Sequence, residues 1–272
     1  MHLLFDMSYL AWTEFHAKKK EIEHGSEVLQ AVFDRIRSLL IEFDARRALF
    51  AFDARTSLRK DAYPAYKSSR DSEEVPEEEQ RLKCELREAL FGLPRAIHRT
   101  GMSAARQAGY EADDLLAVAA FTLTDEGRDG AIVTADEDLF QCLSEHVVMV
   151  TPSRKAQRIR TAAWFRLEYR LDPYRWAYVL AIAGCATDDV PGVPGVGKIT
   201  AAKYLSGRLN PTTQTYANIK SDLSGAQSRL SLVKLPYAGA QLPMDWLESA
   251  RGVTETKLRR LYEAMGFVWG DM

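Results

Sequence analysis

The sequence predicts an α/β fold, in which a mostly parallel central sheet with flanking helices is followed by a smaller helical domain. Short apolar runs alternate with helical stretches in the first half of the chain, an order typical of parallel sheets. Three of the four runs end in an aspartate or meet one at once. After residue 150 the segments are helical, broken by proline and glycine, and no strand is predicted.

The predicted strands and helices follow from apolar spacing. The strands are HLLFD (2–6), RALFAFD (47–53), GAIVTAD (130–136) and HVVMV (146–150). A helix over residues 27–43 is predicted between the first two strands, and helices over 76–91 and 111–124 precede the third. Because parallel strands need crossover connections, we expect these helices to cover the faces of the sheet.

A basic connector, TPSRKAQRIR (151–160), follows the last predicted strand, and we expect a domain boundary near residue 158. The chain is acidic before the connector and basic after it. The first 150 residues contain 19 Lys and Arg against 28 Asp and Glu, whereas the remainder contains 17 against 10. Opposite charges of this kind suit a protein that binds metal ions beside phosphate.

The composition excludes several classes of protein. With 46% hydrophobic and 27% charged residues, the chain is typical of a globular protein. It has no apolar run long enough for a membrane helix and no basic start of a signal peptide. The three cysteines, Cys84, Cys142 and Cys185, have the spacing of neither a disulfide framework nor a zinc motif, which fits a cytoplasmic location.

Acidic residues gather where the predicted strands end and where a helix begins. The candidate metal ligands are Asp6, Asp53, Glu111, Asp113, Asp114, Asp136, Asp138 and Asp188. One acid in a first helical turn is explained by the helix dipole, but several together repel one another unless cations intervene. Clusters of oxygen ligands suit Mg²⁺ or Mn²⁺, and two such ions can assist phosphodiester hydrolysis.

The glycine-rich stretch VPGVPGVGKITAAKYL (190–205) nearly matches the nucleotide-binding loop GxxxxGK[ST]. Ile199 replaces the hydroxyl residue of that motif and no strand precedes it, so we expect no nucleotide or other small-molecule cofactor. A helix–hairpin–helix-type element, whose glycines turn tightly and whose amides bind a DNA phosphate, fits better. The residues expected to contact DNA here are Gly192, Gly195, Gly197, Lys198 and Lys203.

A second basic segment, LRKDAYPAYKSSR (58–70), places bases among tyrosines, which suits a single nucleic-acid strand. The candidate DNA contacts in it are Arg59, Lys60, Tyr66, Lys67 and Arg70. Six acids follow within DSEEVPEEE (71–79). On composition alone, a solvated loop without a ligand is the alternative.

Six motifs together resemble the 5′-3′ exonuclease and flap endonuclease family, which includes phage and bacterial enzymes and the 5′-nuclease domain of bacterial DNA polymerase I. In family order they are LLFDMSYL, FAFD, YPAYKSSR, YEADDLLA, VTADEDLFQ and DDVPGVPGVGKITA. The resemblance implies a PIN-like, metal-dependent nuclease domain over 1–158, with a helical arch over about 58–95. It also implies a helix–three-turn–helix DNA-binding domain over 159–272.

The resemblance also implies a role for each site residue. Asp6, Asp53, Glu111, Asp113 and Asp114 would form a first metal group, and Asp138 and Asp188 a second. The implied catalytic residues are Asp136, which lies between the groups, Lys67, which polarises the scissile phosphate, and Arg70, which clamps it. Tyr66 would lie against a base, and backbone carbonyls of the glycine loop would bind K⁺.

One position departs from the family pattern. Cys185 stands after Gly184 where the family usually has aspartate, so the second metal group lacks a carboxylate. Cysteine is a poor Mg²⁺ ligand, and we expect weak binding of the second ion unless Asp189 substitutes through water.

The expected function is that of a two-metal, structure-specific 5′-3′ DNA exonuclease and flap endonuclease. It would act as a cytoplasmic monomer on DNA with 5′ single-stranded ends or flaps, leave a 5′-phosphate and a 3′-hydroxyl, and carry no polymerase domain. Two alternatives stay open. One is a DNA-binding protein whose catalysis is weakened by Cys185, and the other is an RNA-cleaving PIN-like nuclease.

Overall fold

A computed structural model of the chain describes residues 1–70, 75–152, 158–243, 246–247 and 252–270. The first four residues of the acidic stretch and residues 153–157 of the basic connector lie outside the described residues. Within the described ranges, every helix is too short or too polar to cross a membrane.

In the described part of the chain, six strands form one sheet in the order β3-β2-β1-β4-β5-β6. The strands are β1 His2–Asp6, β2 Arg47–Ala51, β3 Ser103–Ala105, β4 Gly130–Val133, β5 Val147–Thr151 and β6 Arg158–Arg160. All neighbours pair in parallel except β6, which runs antiparallel to β5. The prediction of a mostly parallel sheet is confirmed.

Helices flank this sheet, as the sequence predicts. Those before β5 are α1 Met7–Lys18, α2 Val28–Glu42, α3 Leu58–Ala62, α4 Glu77–Arg99 and α5 Ala112–Asp125. Those after β6 are α6 Ala162–Tyr169, α7 Trp176–Ala183, α8 Lys198–Leu205, α9 Gln214–Ser221, α10 Leu223–Val233 and α11 Glu255–Met265. The three helices predicted from apolar spacing correspond to α2, α4 and α5.

Two strands and part of one helix differ from the predictions. The expectation that no strand follows residue 150 is wrong, because β6 adds an exposed edge to the sheet. Neither β6 (RIR) nor β3 (SAA) has the apolar run that marks a buried strand. Helix α4 continues beyond residue 91 through Pro94, since Leu93 and Ile97 extend its buried face.

Side chains of β1 alternate between two hydrophobic layers, one on each side of the sheet. Leu4 joins the layer containing α5 and α7, whereas Leu3 and Phe5 join the layer containing α2 and α4. Phe140 lies 5.7 Å from Trp176 between ring centroids, so the first layer continues across residue 158. The division into domains 1–158 and 159–272 therefore stays a prediction, as does the helical arch.

The topology of the sheet places the strand-end acids together. From β1 the chain passes to β2 and β3 on one side, and then to β4 and β5 on the other. Ligands of open parallel sheets bind at the carboxyl ends of the strands where this reversal occurs. Asp6 is the last residue of β1, and Asp53 and Asp136 follow β2 and β4 at this edge.

Candidate metal centre and DNA-contacting residues

Hydrogen bonds at the ends of β1 and β4 fix two of the strand-end acids. Asp6 accepts bonds from the backbone N–H of Tyr9 at 2.9 Å and from the hydroxyl of Thr134 at 3.1 Å. The same hydroxyl accepts a bond from the backbone N–H of Asp136 at 3.2 Å. Thr134 thus joins Asp6 to Asp136. It was not among the predicted site residues, because a single hydroxyl residue after a strand is not a distinctive pattern.

The N-terminus of α5 brings further carboxylates to the same edge. Asp53 accepts a hydrogen bond from the backbone N–H of Ala112 at 2.8 Å, which ties the end of β2 to α5. Glu111 caps α5, and Asp113 lies in its first turn. Desolvation and the charges of Asp136 and Asp6 raise the pKa of Asp113 well above its ordinary value.

Burial and mutual repulsion raise the pKa of several carboxylates at this edge. Burial, together with the charges of Asp53 and Asp136, raises the pKa of Asp6 to about 7. Burial and the charges of Asp136 and Asp188 likewise raise the pKa of Asp138 to about 7. Oxygen ligands that repel one another fit a hard divalent cation, which would neutralise them.

These pKa shifts predict how metal and pH control stability. Because the folded pKa of Asp6 and Asp138 exceeds the unfolded value, both groups destabilise the metal-free protein as pH rises from about 4 to about 7. We expect Mg²⁺ to raise the melting temperature more at about pH 8 than at about pH 5, since metal binds the ionised carboxylates. Thermal melts with EDTA or Mg²⁺ test this, and an equal Mg²⁺ effect at both pH values would contradict it.

A second group of candidate metal ligands lies on the turn after β4 and on the turn after α7. Ligand atoms of Asp138, Cys185 and Asp188 all lie within 4.8 Å of one another. The Sγ of Cys185 is 3.8 Å from Oδ2 of Asp138, and burial raises the pKa of the thiol to about 12. Two carboxylates and a sulfur match a hard cation less well than the oxygen ligands of the first group do.

Asp189 is directed away from this second group. Its Oδ2 accepts a hydrogen bond of 2.8 Å from the backbone N–H of Ser69, and this bond holds the pKa of Asp189 below its ordinary value. Asp189 thereby fixes the turn that carries Arg70, and its carboxylate is bonded to Ser69 rather than directed at the second metal group.

The two predicted phosphate-binding cations do lie at the carboxylates. The Nζ of Lys67 is 2.7 Å from Glu111 and 3.7 Å from Asp188, so it bridges the two groups. Its backbone is left-handed, with φ 53°, and its N–H donates to the carbonyl of Asp188 at 3.0 Å. Arg70, which is more exposed, donates to Oδ1 of Asp188 at 3.0 Å. Although burial opposes it, the positive charge of Lys67 lowers the pKa of Glu111.

Tyr66 does not face a DNA base. Its side chain is 3% exposed, and its hydroxyl lies 2.9 Å from Glu111 and 3.2 Å from Asp188. The prediction that it lies against a base is corrected, because its ring is covered by protein. Tyr66 instead joins the two carboxylate groups by a hydrogen bond.

Arg59 and Asp114 form a buried ion pair. They are 3% and 0% exposed, and both guanidinium NH₂ groups of Arg59 donate to the Asp114 carboxylate at 2.7 Å. Asp114 also accepts bonds from the backbone N–H groups of Tyr237 and Glu111. Four donors occupy the four acceptor positions of a carboxylate, so Asp114 is corrected from metal ligand to ion-pair partner and Arg59 from DNA contact to its counter-ion.

The glycine loop joins α7 to α8. At Gly192 a side chain would collide with the carbonyl of Ala183, and Gly195 has a left-handed φ of 74°, so both positions need glycine. Gly197 instead caps α8 with an ordinary φ of −89°, and a Cβ there would meet open space. The prediction that Gly197 is needed for a tight turn is therefore wrong.

The other lysines expected to contact DNA lie on α8 and α3. Lys198 donates to Glu137 at 2.9 Å, which links α8 to the turn that carries Asp138. Lys203 is exposed in the last turn of α8. Lys60 lies on the short helix α3, where it is partly exposed.

Comparison with known proteins identifies the family. Residues 1–170 match the family described as 5′-3′ exonuclease, N-terminal resolvase-like domain. The chain belongs to the 5′-3′ exonuclease family. Members of this family are nucleases that act on DNA. The chain is 36% identical over 206 residues, or 75% of its length, to the thermostable DNA polymerase I of Thermus aquaticus, of which it spans 23%.

Two solved structures have a fold similar to that of this member of the 5′-3′ exonuclease family. The phage T5 D15 protein, co-crystallised with metal ions, superposes with a TM-score of 0.70 over 97% of each chain at 19% identity. Human GEN1 in complex with Holliday junction DNA gives a TM-score of 0.62 at 19% identity, covering 98% of this chain and 68% of GEN1. At these identities the likeness establishes the fold.

Proposed function

We propose that the chain is a metal-dependent, structure-specific 5′-3′ DNA exonuclease and flap endonuclease. The observation that carries this proposal is the convergence of two carboxylate groups, with Lys67 between them, at the strand-end edge of a parallel sheet. Membership of the exonuclease family supports it. The chain would hydrolyse phosphodiester bonds at or near 5′ ends, and leave a 5′-phosphate and a 3′-hydroxyl.

The carboxylates divide into ligands for two ions. Those proposed for the first ion are Asp6, Asp53, Glu111 and Asp113, with Asp136 between the groups. Asp138 and Asp188 would hold a second ion. Mg²⁺ or Mn²⁺ at the first group would supply an activated water and neutralise charge on the phosphate.

Lys67 and Arg70 are placed to receive the scissile phosphate. Without metal they neutralise Glu111 and Asp188. When those carboxylates are engaged as ligands, the ammonium and guanidinium groups are free to donate to phosphate oxygens. Lys67 would then stabilise the charge that develops on the phosphate, and the more exposed Arg70 would orient the strand.

We expect Lys67→Ala to lower single-turnover cleavage of a 5′-flap substrate by on the order of 100-fold, because it removes a positive charge aimed at the transition state. Affinity for the same DNA should change by only a few-fold. Lys220→Ala, at an exposed position of α9, is the matched control and should cleave normally. Quench-flow cleavage and fluorescence anisotropy measure the two effects, and equal losses in both would contradict the proposed role.

The element α7–loop–α8 is proposed to bind duplex DNA as a helix–three-turn–helix. Its contacts would come from backbone amides near Gly192, Gly195 and Gly197 and from Lys198 and Lys203, with K⁺ held by loop carbonyls. The segment 58–95 would form the arch over the single strand, with Lys60 as a further contact. We infer that the protein acts as a monomer and in the cytoplasm.

A substitution at the exposed end of α8 tests the duplex surface. We expect Lys203→Ala to weaken duplex binding a few-fold and to reduce the slope of log affinity against log salt by about one, because one phosphate contact is lost. The rate of cleavage at saturating DNA should be unchanged. The slope for Lys220→Ala should match that of the unaltered protein. An equal reduction in both variants would show that Lys203 is not part of the proposed duplex-binding surface.

The decisive experiment is cleavage of an end-labelled 5′-flap duplex at several concentrations of Mg²⁺ or Mn²⁺. The proposal requires metal-dependent release of products that carry a 5′-phosphate. Flap binding without cleavage at millimolar metal would favour a DNA-binding protein with weakened catalysis. Faster cleavage of RNA than of matched DNA would favour an RNA-cleaving enzyme.

A further inference from the structure

The second ligand group contains a sulfur atom where its other donors are carboxylates. Cys185 is buried, and it faces Asp138 and Asp188 with all three ligand atoms within 4.8 Å of one another. The other two cysteines are placed differently: Cys84 is exposed on α4, and Cys142 lies in the hydrophobic layer with α5. Two oxygens and one sulfur are a donor set that differs chemically from the oxygen ligands of the first group.

We propose that Asp138, Cys185 and Asp188 form a mixed sulfur–oxygen site that binds Zn²⁺ in preference to Mg²⁺. The inference rests on the metal centre of the proposed function and assigns its second ion. Zn²⁺ accepts thiolate and carboxylate ligands in one coordination shell, whereas Mg²⁺ requires oxygen ligands in near-octahedral geometry. The centre would therefore hold two different metals.

The spacing of one donor pair, Cys185 and Asp138, is close to that expected at a tetrahedral zinc ion. Zinc at about 2.3 Å from sulfur and about 2.1 Å from oxygen, with a tetrahedral angle, separates the two ligand atoms by about 3.6 Å. The Sγ of Cys185 and Oδ2 of Asp138 are 3.8 Å apart, so both can reach one ion with a small adjustment. Three protein ligands leave a fourth position open, as in catalytic zinc sites, and that position suits a water or a phosphate oxygen.

The surroundings of the sulfur hold it in place. The backbone of Cys185 pairs with Val190 through hydrogen bonds of 2.9 and 3.0 Å, which fix the turn after α7. The hydroxyl of Thr187 lies 3.1 Å from Sγ, where it can donate to a thiolate. Such hydrogen bonds to a metal ligand orient it and maintain affinity.

Cobalt spectroscopy tests the site without DNA. Co²⁺ substitutes for Zn²⁺ and produces a near-ultraviolet charge-transfer band when a thiolate binds it. We expect the band to saturate at one equivalent of Co²⁺ in excess Mg²⁺, and to be lost in Cys185→Ser. Cys84→Ser is the matched control and should retain it.

Further measurements separate ligation from a structural role of the cysteine. By calorimetry, Cys185→Ser should lower Zn²⁺ affinity on the order of 100-fold or more. Cys185→Asp should lose the band and bind Mg²⁺ more tightly than the unaltered protein. Asp188→Asn keeps the thiol, and it should show the same band only at higher Co²⁺ concentration. This variant tests the site even where Cys185→Ser does not fold.

Three results would overturn the inference: no thiolate band, a band that persists in Cys185→Ser, or displacement of Co²⁺ by equimolar Mg²⁺. These outcomes are independent of nuclease activity. If the protein shows the band and cleaves no DNA, the proposed function is refuted and the zinc site is supported. Cleavage in Mg²⁺ by a protein without the band would refute the zinc site alone.

Discussion

Replacing Asp136 with asparagine is expected to lower the cleavage rate by on the order of 1,000-fold while flap DNA binding is retained. Asp136 lies between the two ligand groups, and its charge raises the pKa of both Asp113 and Asp138. Asparagine keeps an oxygen to accept the 2.9 Å bond from the N–H of Asp138, so the turn is preserved while the charge is lost. Asp136→Ala should lose cleavage as well, and it also removes that bond.

DNA affinity should not fall in these variants, because removing a negative charge reduces repulsion of the phosphates. Asp125→Asn, at the exposed end of α5, is the matched control for loss of one carboxylate and should cleave within about twofold of the unaltered protein. Single-turnover cleavage and anisotropy on the same flap substrate give both values. A parallel loss of binding and cleavage would show that Asp136 has a structural role instead.

Much of the fold and part of this site could be predicted because the signals are local. Most residues of β1, β2, β4 and β5 are buried on both faces of the sheet, so each strand contains a short apolar run. Parallel strands place their carboxyl ends on one edge, and this rule brings Asp6, Asp53 and Asp136 together. Strand β6 was not predicted, because a strand at the exposed edge of a sheet does not need apolar residues.

Other site residues were misassigned because their partners lie far away in sequence. Arg59 donates to the carbonyl of Leu232, and Asp114 accepts from the backbone of Tyr237. A basic residue among tyrosines looks the same in sequence whether it faces DNA or a buried carboxylate. The ring of Tyr66 is covered for a similar reason, since Glu111 and Asp188 attract its hydroxyl inward. Only tertiary packing separates these cases.

Loss of the buried ion pair between Arg59 and Asp114 is expected to destabilise the fold strongly. Arg59→Ala should destabilise the protein by about 3–5 kcal/mol, because it leaves a fully buried carboxylate without its counter-ion. Arg59 also donates to the carbonyl of Leu232 at 2.8 Å, so the variant detaches α3 from the end of α10. Chemical denaturation measures the free energy of unfolding.

An exposed pair provides the comparison. Arg128 lies 3.0 Å from Glu126, with both side chains more than 40% exposed, and Arg128→Ala should cost no more than about 1 kcal/mol. The double variant Arg59→Ala with Asp114→Ala should lose less stability than the sum of the single variants, because the second change removes the unpaired charge. Additive losses would mean that the two groups do not stabilise each other.

Asp114→Asn distinguishes an ion-pair partner from a metal ligand. If Asp114 is the partner of Arg59, the Asp114→Asn variant should be much less stable than the unaltered protein in EDTA, where no metal is bound. Asp113→Asn, one residue earlier on α5, should have the opposite effects. Its stability in EDTA should be unchanged or greater, since burial and neighbouring carboxylates raise the pKa of Asp113, and it should bind Mg²⁺ more weakly. If Asp114→Asn instead weakens Mg²⁺ binding without a change in stability, Asp114 is a metal ligand, and its ion pair with Arg59 does not stabilise the fold.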